Sequence, residues 1–349
     1  MKEPYNRLHG LDFCRAVFMV LGLFYHAGLI YGYGNSWNVV SDERSQLISF
    51  LANFVHMFRM EAFYLISGFF YMLVFSKSKP NFLSGRLVRV AVPLFFCGLF
   101  INPVMHFFSY NKSFTFDLNY FYSGQWLGHL WFLGNLLIYF FLTYFFCGFF
   151  YRVRLGRFSL LLVLFFILPV LSLTGLAIAK FIYDGNFIFV SFYPLFYYFP
   201  YFLIGIICFV NKDIFVSILN IKYAVLSFFV FLTLYAFSSL DSFSSNTINN
   251  MVDVMYVGSL VIFLIALVYM LGCRESFLIK ELSDASYTIY ILHQPLLIFF
   301  YVFLFSNIYL GAITEYLLLV SSVFFISWVF HFSVVKRSNI ARLLFNGHR

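Results

Sequence analysis

The first apolar stretch of the chain carries two ionisable side chains that are suited to chemistry inside a membrane. Residues 11–33 read LDFCRAVFMVLGLFYHAGLIYGY, which is long enough to cross a bilayer, yet they include Arg15 and His26. A charged side chain in lipid costs a few kcal/mol or more, so such a residue requires a partner or a function. Arg15 and His26 are about three helical turns apart, which predicts that they share a helix face roughly 16 Å apart along the axis.

A carboxylate on the same stretch, Asp12, lies at i,i+3 from Arg15 and is expected to pair with it directly. This pair could simply anchor the helix end by snorkelling, and a neutral histidine such as His26 could be a packing residue. We favour a functional interpretation of His26, because it lies deep in the other half of the span on the same face as Arg15. Asp12 is then a structural partner of Arg15, too far along the helix to orient His26.

The second apolar stretch carries the densest polar cluster, in the sequence HMFRME. His56 and Arg59 are predicted to share a helix face at i,i+3, whereas Glu61 points elsewhere. An arginine at this depth requires a carboxylate, a hydrogen-bond network or water. Arg59 could form a structural salt link to Glu61, but a polar cavity inside a helical bundle is the favoured interpretation.

The same stretch continues into two small residues, Ser67 and Gly68. They allow either close packing against a neighbouring helix or approach of the backbone to a ligand. Because the stretch is long, the helix could also be tilted or broken at this point. Ser67 is the one serine that we consider as a nucleophile.

Two arginines, Arg86 and Arg89, stand at i,i+3 at the start of the third apolar stretch. Basic residues flank membrane spans on the cytoplasmic side, so the pair could serve only to set the topology. Alternatively, the two guanidinium forks could clamp phosphate oxygens at a helix N-terminus.

Two further histidines lie in apolar surroundings. His129 opens the fourth span in the sequence HLWFL, where an aromatic belt explains Trp131 but not the histidine. His293 lies in YILHQP within the ninth span, where the proline is expected to kink the helix and could account for the histidine. Ser283 and Asp284 could cap that helix. Three other polar residues are interpreted as peripheral: His106, Glu315 and His331.

The composition indicates an integral membrane protein and excludes an ordinary globular core. Of 349 residues, 62% are hydrophobic, 24% aromatic and 10% charged, which fits an all-α polytopic transmembrane helical bundle. The net charge of +8 sits in short loops and forms no face that could hold nucleic acid. The five cysteines lack metal-type spacing, which predicts free thiols and no metal.

Apolar length and loop punctuation predict ten spans in one transmembrane domain over residues 1–349, without the internal repeat of many transporters. The predicted spans are about 12–33, 47–75, 87–108, 129–150, 158–179, 191–210, 218–238, 254–272, 286–305 and 313–334. The first is too long for a signal peptide and lacks a clear cleavage site, so we expect it to be retained.

The basic loop residues are divided unequally between the two sides of this arrangement. One side holds only three: Arg44, Lys112 and Lys180. The other side holds seventeen: Lys2, Arg7, Lys77, Lys79, Arg86, Arg89, Arg152, Arg154, Arg157, Lys212, Lys222, Arg274, Lys280, Lys336, Arg337, Arg342 and Arg349. The positive-inside rule therefore places both termini in the cytoplasm.

Together these segments resemble the acyltransferase 3 family of membrane-bound acyltransferases. Five features follow one another in the family's order over about 290 residues: Arg15 and His26 with ten residues between them, Ser67-Gly68-Phe69, Arg86 and Arg89, residues 129–133, and residues 290–295. In that family the arginine–histidine pair and the arginine pair are the functional marks. The runs LDFCRAVFMVLGLFYHAGLIYG, FVHMFRMEAFYLISGFF and FYYFPYFLIGIICF are most similar to members that succinylate osmoregulated periplasmic glucans.

The resemblance implies a membrane-bound O-acyltransferase in the bacterial inner membrane. Its donor would be a cytoplasmic acyl-coenzyme A, either succinyl-CoA or acetyl-CoA, and its acceptor a hydroxyl of a periplasmic glycan. Combined with the spacing, it predicts that Arg86 and Arg89, with Arg15, hold the coenzyme A phosphates. The pantetheine arm would then rise along the first span to His26, the general base.

The remaining polar residues receive roles around that reaction. Glu61 is the candidate group to orient His26, while Arg59 or His56 would stabilise an oxyanion or a succinyl carboxylate. The other candidates for the acceptor or oxyanion side are His129, Trp131, Ser67 and His293.

Two alternatives stay open at this point. The enzyme could instead be an O-acetyltransferase acting on lipopolysaccharide, peptidoglycan or another exopolysaccharide. A different class, a transporter or flippase of a polar glycan, would use the same buried charges to line a pathway. The missing repeat and the arginine-rich cytoplasmic mouth argue against transport.

Overall fold

The computed structural model describes residues 8–34, 37, 39–77, 81–109, 117–182, 186–187, 190–239, 246–274 and 276–348. Some of the basic residues used above to assign the topology lie outside the described residues: Lys2, Arg7, Lys79, Lys112 and Arg349.

In the described part of the chain, ten helical stretches are long and apolar enough to cross a membrane, which confirms the predicted all-α polytopic bundle. The helices are α1 (His9–Tyr31), α2 (Gln46–Lys77), α3 (Phe82–Phe96), α4 (Asn102–Ser109), α5 (Leu118–Tyr122), α6 (Trp131–Tyr144), α7 (Cys147–Phe150), α8 (Arg157–Leu162), α9 (Leu168–Ile182), α10 (Phe192–Val210), α11 (Lys212–Ile218), α12 (Ile221–Ser238), α13 (Asn246–Gly272), α14 (Phe277–Phe303), α15 (Ala312–Phe330) and α16 (Asn339–Asn346).

Short turns of other helix types adjoin several of these helices. The π-helical turns are Cys97–Ile101, Val163–Ile167 and His331–Val335, and the 3₁₀ turns are Gln125–Leu130 and Phe305–Asn307. Two short strands, β1 (Asn186–Phe187) and β2 (Val190–Ser191), pair antiparallel between α9 and α10.

The structure differs at three places from a boundary or a possibility that the sequence suggested. The helix α14 begins at Phe277, so Ser283 and Asp284 lie inside it and do not cap it, because the run KELSD continues the helix beyond the apolar stretch. The fourth span begins at Leu118, well before His129, since Asp117 caps a short preceding helix by accepting a hydrogen bond from the backbone N–H of Tyr120 at 2.8 Å.

The helix α2 is continuous from Gln46 to Lys77, so the break considered at Ser67 and Gly68 is not present. Gly68 instead lies directly against the backbone of α10, where an added Cβ would be 2.0 Å from the carbonyl oxygen of Phe202. Gly205 of α10 makes the reciprocal contact, because its Cβ would be 2.0 Å from the carbonyl oxygen of Leu65. These small residues therefore serve close helix packing.

The helix α1 occupies the centre of the bundle, packed against α2, α13, α14 and α15. The C-terminal helix α16 packs against α3, and Asn346 near its end lines the same cavity as Arg15 and Arg89. The first half of α1, the start of α3 and the described C-terminal segment therefore meet at one end of the bundle. A large cavity opens at that end.

Candidate active site

A cavity of about 590 Å³ opens at this end of the bundle, a volume in the usual range for small-molecule sites. Its basic lining residues are Arg15, Arg86, Arg89, Lys336 and Arg342. In the described lining, Asp284 is the single carboxylate, and Lys336 Nζ lies 3.2 Å from its Oδ2. The lining thus has a strong excess of positive charge, which favours an anionic ligand.

Arg15, Arg86 and Arg89, the three arginines predicted to bind the donor, all line this cavity although they belong to two helices. Arg15 of α1 faces Arg86 and Arg89 of α3, and its Nη2 lies 3.5 Å from Oδ1 of Asp12. The Arg15 guanidinium also lies over the ring of Phe70, 5.0 Å from the ring centroid. These contacts fix Arg15 at the cavity wall, so its charge is presented to the interior of the cavity.

A second, much smaller cavity, here called the throat, shares part of its wall with the large one. The throat encloses about 10 Å³ and shares Met19, Phe63 and Phe132 with the wall of the large cavity. Gly22, Arg59 and Tyr290 also line it. The throat therefore lies between the wall of the arginine-rich cavity and Arg59.

Three histidine rings from different parts of the chain meet beside Gly22 and Arg59, which line the throat. His26 Nδ1 of α1 lies 3.3 Å from His293 Nε2 of α14, and their ring centroids are 5.0 Å apart. The His129 ring lies edge-on to His293, with a centroid distance of 5.0 Å, and 6.4 Å from His26. His26 is partly exposed, whereas His129 and His293 are buried.

Backbone geometry places His129 in this group. Gly128 has φ +49°, a left-handed conformation that glycine adopts most readily, and it turns the chain just before α6. The His129 Nε2 then lies 3.0 Å from the carbonyl oxygen of Ile291, and its backbone N–H donates to Gln294 Oε1 at 3.1 Å. The hydroxyl of Tyr290 donates to the carbonyl oxygen of His129. His129 is thereby tied to the helix that carries His293.

Arg59 lies beside these rings and is 7% exposed. Its Nε and Nη1 have no hydrogen-bond partner in the described part of the chain. Its guanidinium lies 4.8 Å from the ring centroid of Tyr25, which in turn stacks on His56 with centroids 4.8 Å apart. A buried guanidinium with free donors is costly unless a ligand oxygen satisfies them, so Arg59 is a candidate anion-binding group.

The structure does not bring Glu61 to His26. Among the described residues, no hydrogen bond joins Glu61 to His26, and no salt bridge joins Glu61 to Arg59. Glu61 is nevertheless 4% exposed, and its Oε2 has no hydrogen-bond partner in the described chain. The position that we assigned to Glu61 beside His26 is occupied by His293.

Two of the predicted site residues remain, Ser67 and Trp131. Ser67 lines the large cavity, and in the described chain it forms no hydrogen bond to a histidine that could activate it. Trp131 stacks on Tyr198 with centroids 6.1 Å apart, away from the histidine group. Trp37, which the sequence did not single out, has its ring centroid 6.0 Å from that of His26.

Sequence reasoning also missed part of the cavity wall. His331, interpreted as peripheral, is 3% exposed, lines the cavity, and its Nδ1 lies 2.8 Å from Thr288 Oγ1. Asn346 and His348 of the C-terminal segment line it as well. Their only signal in the sequence was the polar, basic character of this segment.

Within the described residues, no group of three or more His, Cys, Asp or Glu side chains is arranged to hold a metal ion.

The fold and this site define a multi-pass membrane protein with a basic cavity at one end of the bundle and a group of three histidines farther inside. The chain belongs to the acyltransferase 3 family: the family model, described as an acyltransferase domain, matches residues 8–332. The family and the bundle agree, since the matched range covers all ten spans but the end of the last.

The chain is also similar to curated proteins named glucans biosynthesis protein C. The relative from Salmonella typhi is 29% identical over 332 residues, covering 85% of this chain and 84% of the relative, and the Salmonella typhimurium relative matches equally well. The relative from Salmonella paratyphi A is 28% identical over 338 residues with the same coverage. No solved structure matches the chain.

Proposed function

We propose that this acyltransferase moves a succinyl group from succinyl-coenzyme A to a hydroxyl of a periplasmic glucan. The observation that carries the proposal is that the arginine-lined cavity and the throat share wall residues, and that Arg59 and Gly22 of the throat lie beside the His26–His293 pair. The names of the similar proteins support a glucan as acceptor, since each is called a glucans biosynthesis protein.

The donor phosphates would bind in the basic cavity. Guanidinium groups bind phosphate oxygens through two parallel hydrogen bonds, and Arg15, Arg86 and Arg89 all face the cavity interior. The pantetheine arm, which is uncharged, would extend along the apolar residues that the cavity and the throat share, Met19, Phe63 and Phe132, and would widen the throat on binding. The thioester would then reach the residues around His26 while the nucleotide stays at the mouth.

The chemical step would use His26 as general base and Arg59 as the charged group that contacts the acyl group. The partly exposed His26 ring would take the proton of the acceptor hydroxyl. The free donors of Arg59 would bind either the developing oxyanion or the distal carboxylate of a succinyl group. A buried cation with unsatisfied donors favours a dicarboxylic acyl group over acetyl, which has no second carboxylate.

The orientation follows from the positive-inside rule. The basic cavity lies at the end of the bundle that collects Arg86, Arg89, Lys336 and Arg342, so we place that end in the cytoplasm of a bacterial inner membrane. The donor would be used from the cytoplasm, and the acceptor would approach His26 from the opposite side.

The experiment is a donor comparison with the purified protein in proteoliposomes. Succinyl-CoA and acetyl-CoA are supplied separately with glucan oligosaccharides, and mass spectrometry measures the acylated product. We expect succinyl transfer by the natural chain, and in Arg59→Gln a loss of succinyl transfer of about 10- to 100-fold that exceeds any loss of acetyl transfer. Preferred acetyl transfer would contradict the succinyl assignment. Uptake of unmodified glucan without any transfer would support a transporter instead.

A further inference from the structure

His293 contacts His26 in a way that restricts the position of a proton. Nε2 of His293 and Nδ1 of His26 are 3.3 Å apart, and the two ring planes are within 10° of parallel. Each nitrogen has its lone pair or its hydrogen in the plane of its own ring, so this arrangement aligns a donor on one ring with an acceptor on the other.

The second ring nitrogen of His293 decides which ring donates. His293 Nδ1 is hydrogen-bonded to the backbone carbonyl oxygen of Tyr290. A carbonyl oxygen can only accept, so the hydrogen of neutral His293 must be on Nδ1. His293 Nε2 then carries a lone pair and accepts a hydrogen bond from Nδ1–H of His26.

The consequence falls on the other nitrogen of His26. With its hydrogen on Nδ1, neutral His26 has a lone pair at Nε2. That nitrogen has no hydrogen-bond partner in the described chain, and His26 is the partly exposed ring of the group. The lone pair needed by a general base is therefore on the accessible nitrogen.

His293 is held firmly enough to impose this choice. Its side chain is 0% exposed on a helix that packs against α1, and the His129 ring lies against it. His129 is itself tied to the same helix through Ile291 and Gln294. Rotation of the His293 ring would break the bond to Tyr290 and displace His129.

We propose that His293 is the positioning residue of this site: it keeps His26 in the tautomer with hydrogen on Nδ1 and thus leaves Nε2 free as the base. The proposal rests on the proposed function insofar as it treats His26 as the base. A neutral imidazole suits position 293. Gly22 lies against both Arg59 Nη1 and His293 Nε2, so a carboxylate at position 293 would pair with the Arg59 guanidinium and not with His26.

The transfer step balances on these atoms. His26 Nε2 takes the hydroxyl proton of the acceptor as the acceptor oxygen bonds to the thioester carbonyl carbon. The carbon–sulfur bond then breaks, and the coenzyme A sulfur leaves with the proton held on Nε2. Throughout, His26 Nδ1–H stays bonded to His293, so the imidazolium that forms transiently keeps its hydrogen-bond partner.

The test compares His293→Gln with His293→Asn in the full-length protein. A glutamine amide reaches to about the position of the histidine Nε2 and can accept from His26, whereas an asparagine amide reaches only to the position of Nδ1. We expect kcat to fall by about 10²- to 10⁴-fold in His293→Asn, with a donor KM within a few-fold of the natural value. The kcat of His293→Gln should be at least tenfold higher than that of His293→Asn. Equal kcat in the two variants, or a natural kcat in His293→Asn, would overturn the proposal.

A second measurement separates this proposal from the proposed function. Nitrogen NMR of ¹⁵N-histidine-labelled protein, with His26 assigned by the signal lost in His26→Gln, reports the tautomer without any substrate. We expect the Nδ1–H form in the natural chain and a shift toward the Nε2–H form in His293→Leu. An Nε2–H form of His26 in the natural chain would overturn the proposal even if succinyl transfer were observed. The expected tautomer would stand even if the acyl donor proved different.

Discussion

Gly22 of α1 lies directly against Arg59 of α2, and a Cβ at Gly22 would be 3.0 Å from Arg59 Nη1. The same Cβ would be 3.7 Å from His293 Nε2. The hydrogen atom of a glycine is thus what allows an arginine and a histidine from two other helices to meet α1 one turn before His26.

This contact predicts a graded effect of side-chain size at position 22. Gly22→Ala should displace the guanidinium by a few tenths of an ångström and lower the transfer rate several-fold, while Gly22→Val should close the throat and abolish transfer. Transfer kinetics of the two variants check this. Natural rates in Gly22→Val would show that the throat is not part of the acyl route.

The arginine pair at the cavity mouth should govern donor use. Arg86→Gln and Arg89→Gln should each raise the donor KM by about 10- to 100-fold, because each removes a charge-assisted bond to a phosphate. The lysine variants should retain the charge but lose the fork, with a smaller effect. The acceptor KM should stay near its natural value in all four.

The control for this comparison is Arg152→Gln, since Arg152 is exposed in a loop and does not line the cavity. Kinetics with varied donor at saturating acceptor make the measurement. If Arg152→Gln raised the donor KM as much as Arg86→Gln, the pair would contribute only general surface charge.

The contact of Gly68 with α10 predicts a stability effect without a role in chemistry. Gly68→Ala places a Cβ against the carbonyl oxygen of Phe202, so the two helices must separate at a cost of about 1–3 kcal/mol. Thermal unfolding in detergent should show a Tm several degrees lower. Gly85→Ala is the matched control, because nothing lies within 4 Å of its Cβ, and it should keep or raise the Tm. Equal Tm values for the two variants would refute the packing role.

One cysteine allows the orientation to be measured on the natural chain. Cys273 is exposed next to Arg274, while Cys14, Cys97, Cys147 and Cys208 are buried. A membrane-impermeant maleimide should therefore label Cys273 in inverted membrane vesicles and leave right-side-out vesicles unlabelled, if the basic end is cytoplasmic. Cys273→Ser supplies the background. Labelling in right-side-out vesicles would reverse the assignment of the cavity mouth.

The features that could be predicted from the sequence are those set by local spacing. Ten apolar stretches determine ten spans, and a separation of three turns places Arg15 and His26 on one face of α1. The pairing of His26 with His293 could not be predicted in the same way. It depends on how α14 is rotated against α1, which is decided by tertiary packing of helices far apart in the chain.

The same limit explains the other differences. Whether Arg59 has a partner depends on which side chains of other helices face α2. The sequence suggests Glu61 as a partner, but it does not contain the packing that keeps the two apart. His331 was interpreted as peripheral, yet it lines the same cavity as Arg15 of the first span. The fourth span begins earlier than predicted, because Asp117 caps a short helix there and Gly124 and Gly128 turn the chain before α6. None of these three residues adds to the apolar signal from which the span was predicted.

The most direct test of the account is transfer from succinyl-CoA by His26→Gln, measured beside the natural chain and beside His106→Gln, whose ring is bonded elsewhere to Tyr120. Donor binding to the cavity is measured in parallel by equilibrium dialysis. We predict that His26→Gln binds the donor within a few-fold of the natural affinity but transfers it about 10²- to 10⁴-fold more slowly, whereas His106→Gln retains transfer. Natural transfer rates in His26→Gln would contradict the assignment of His26 as the base.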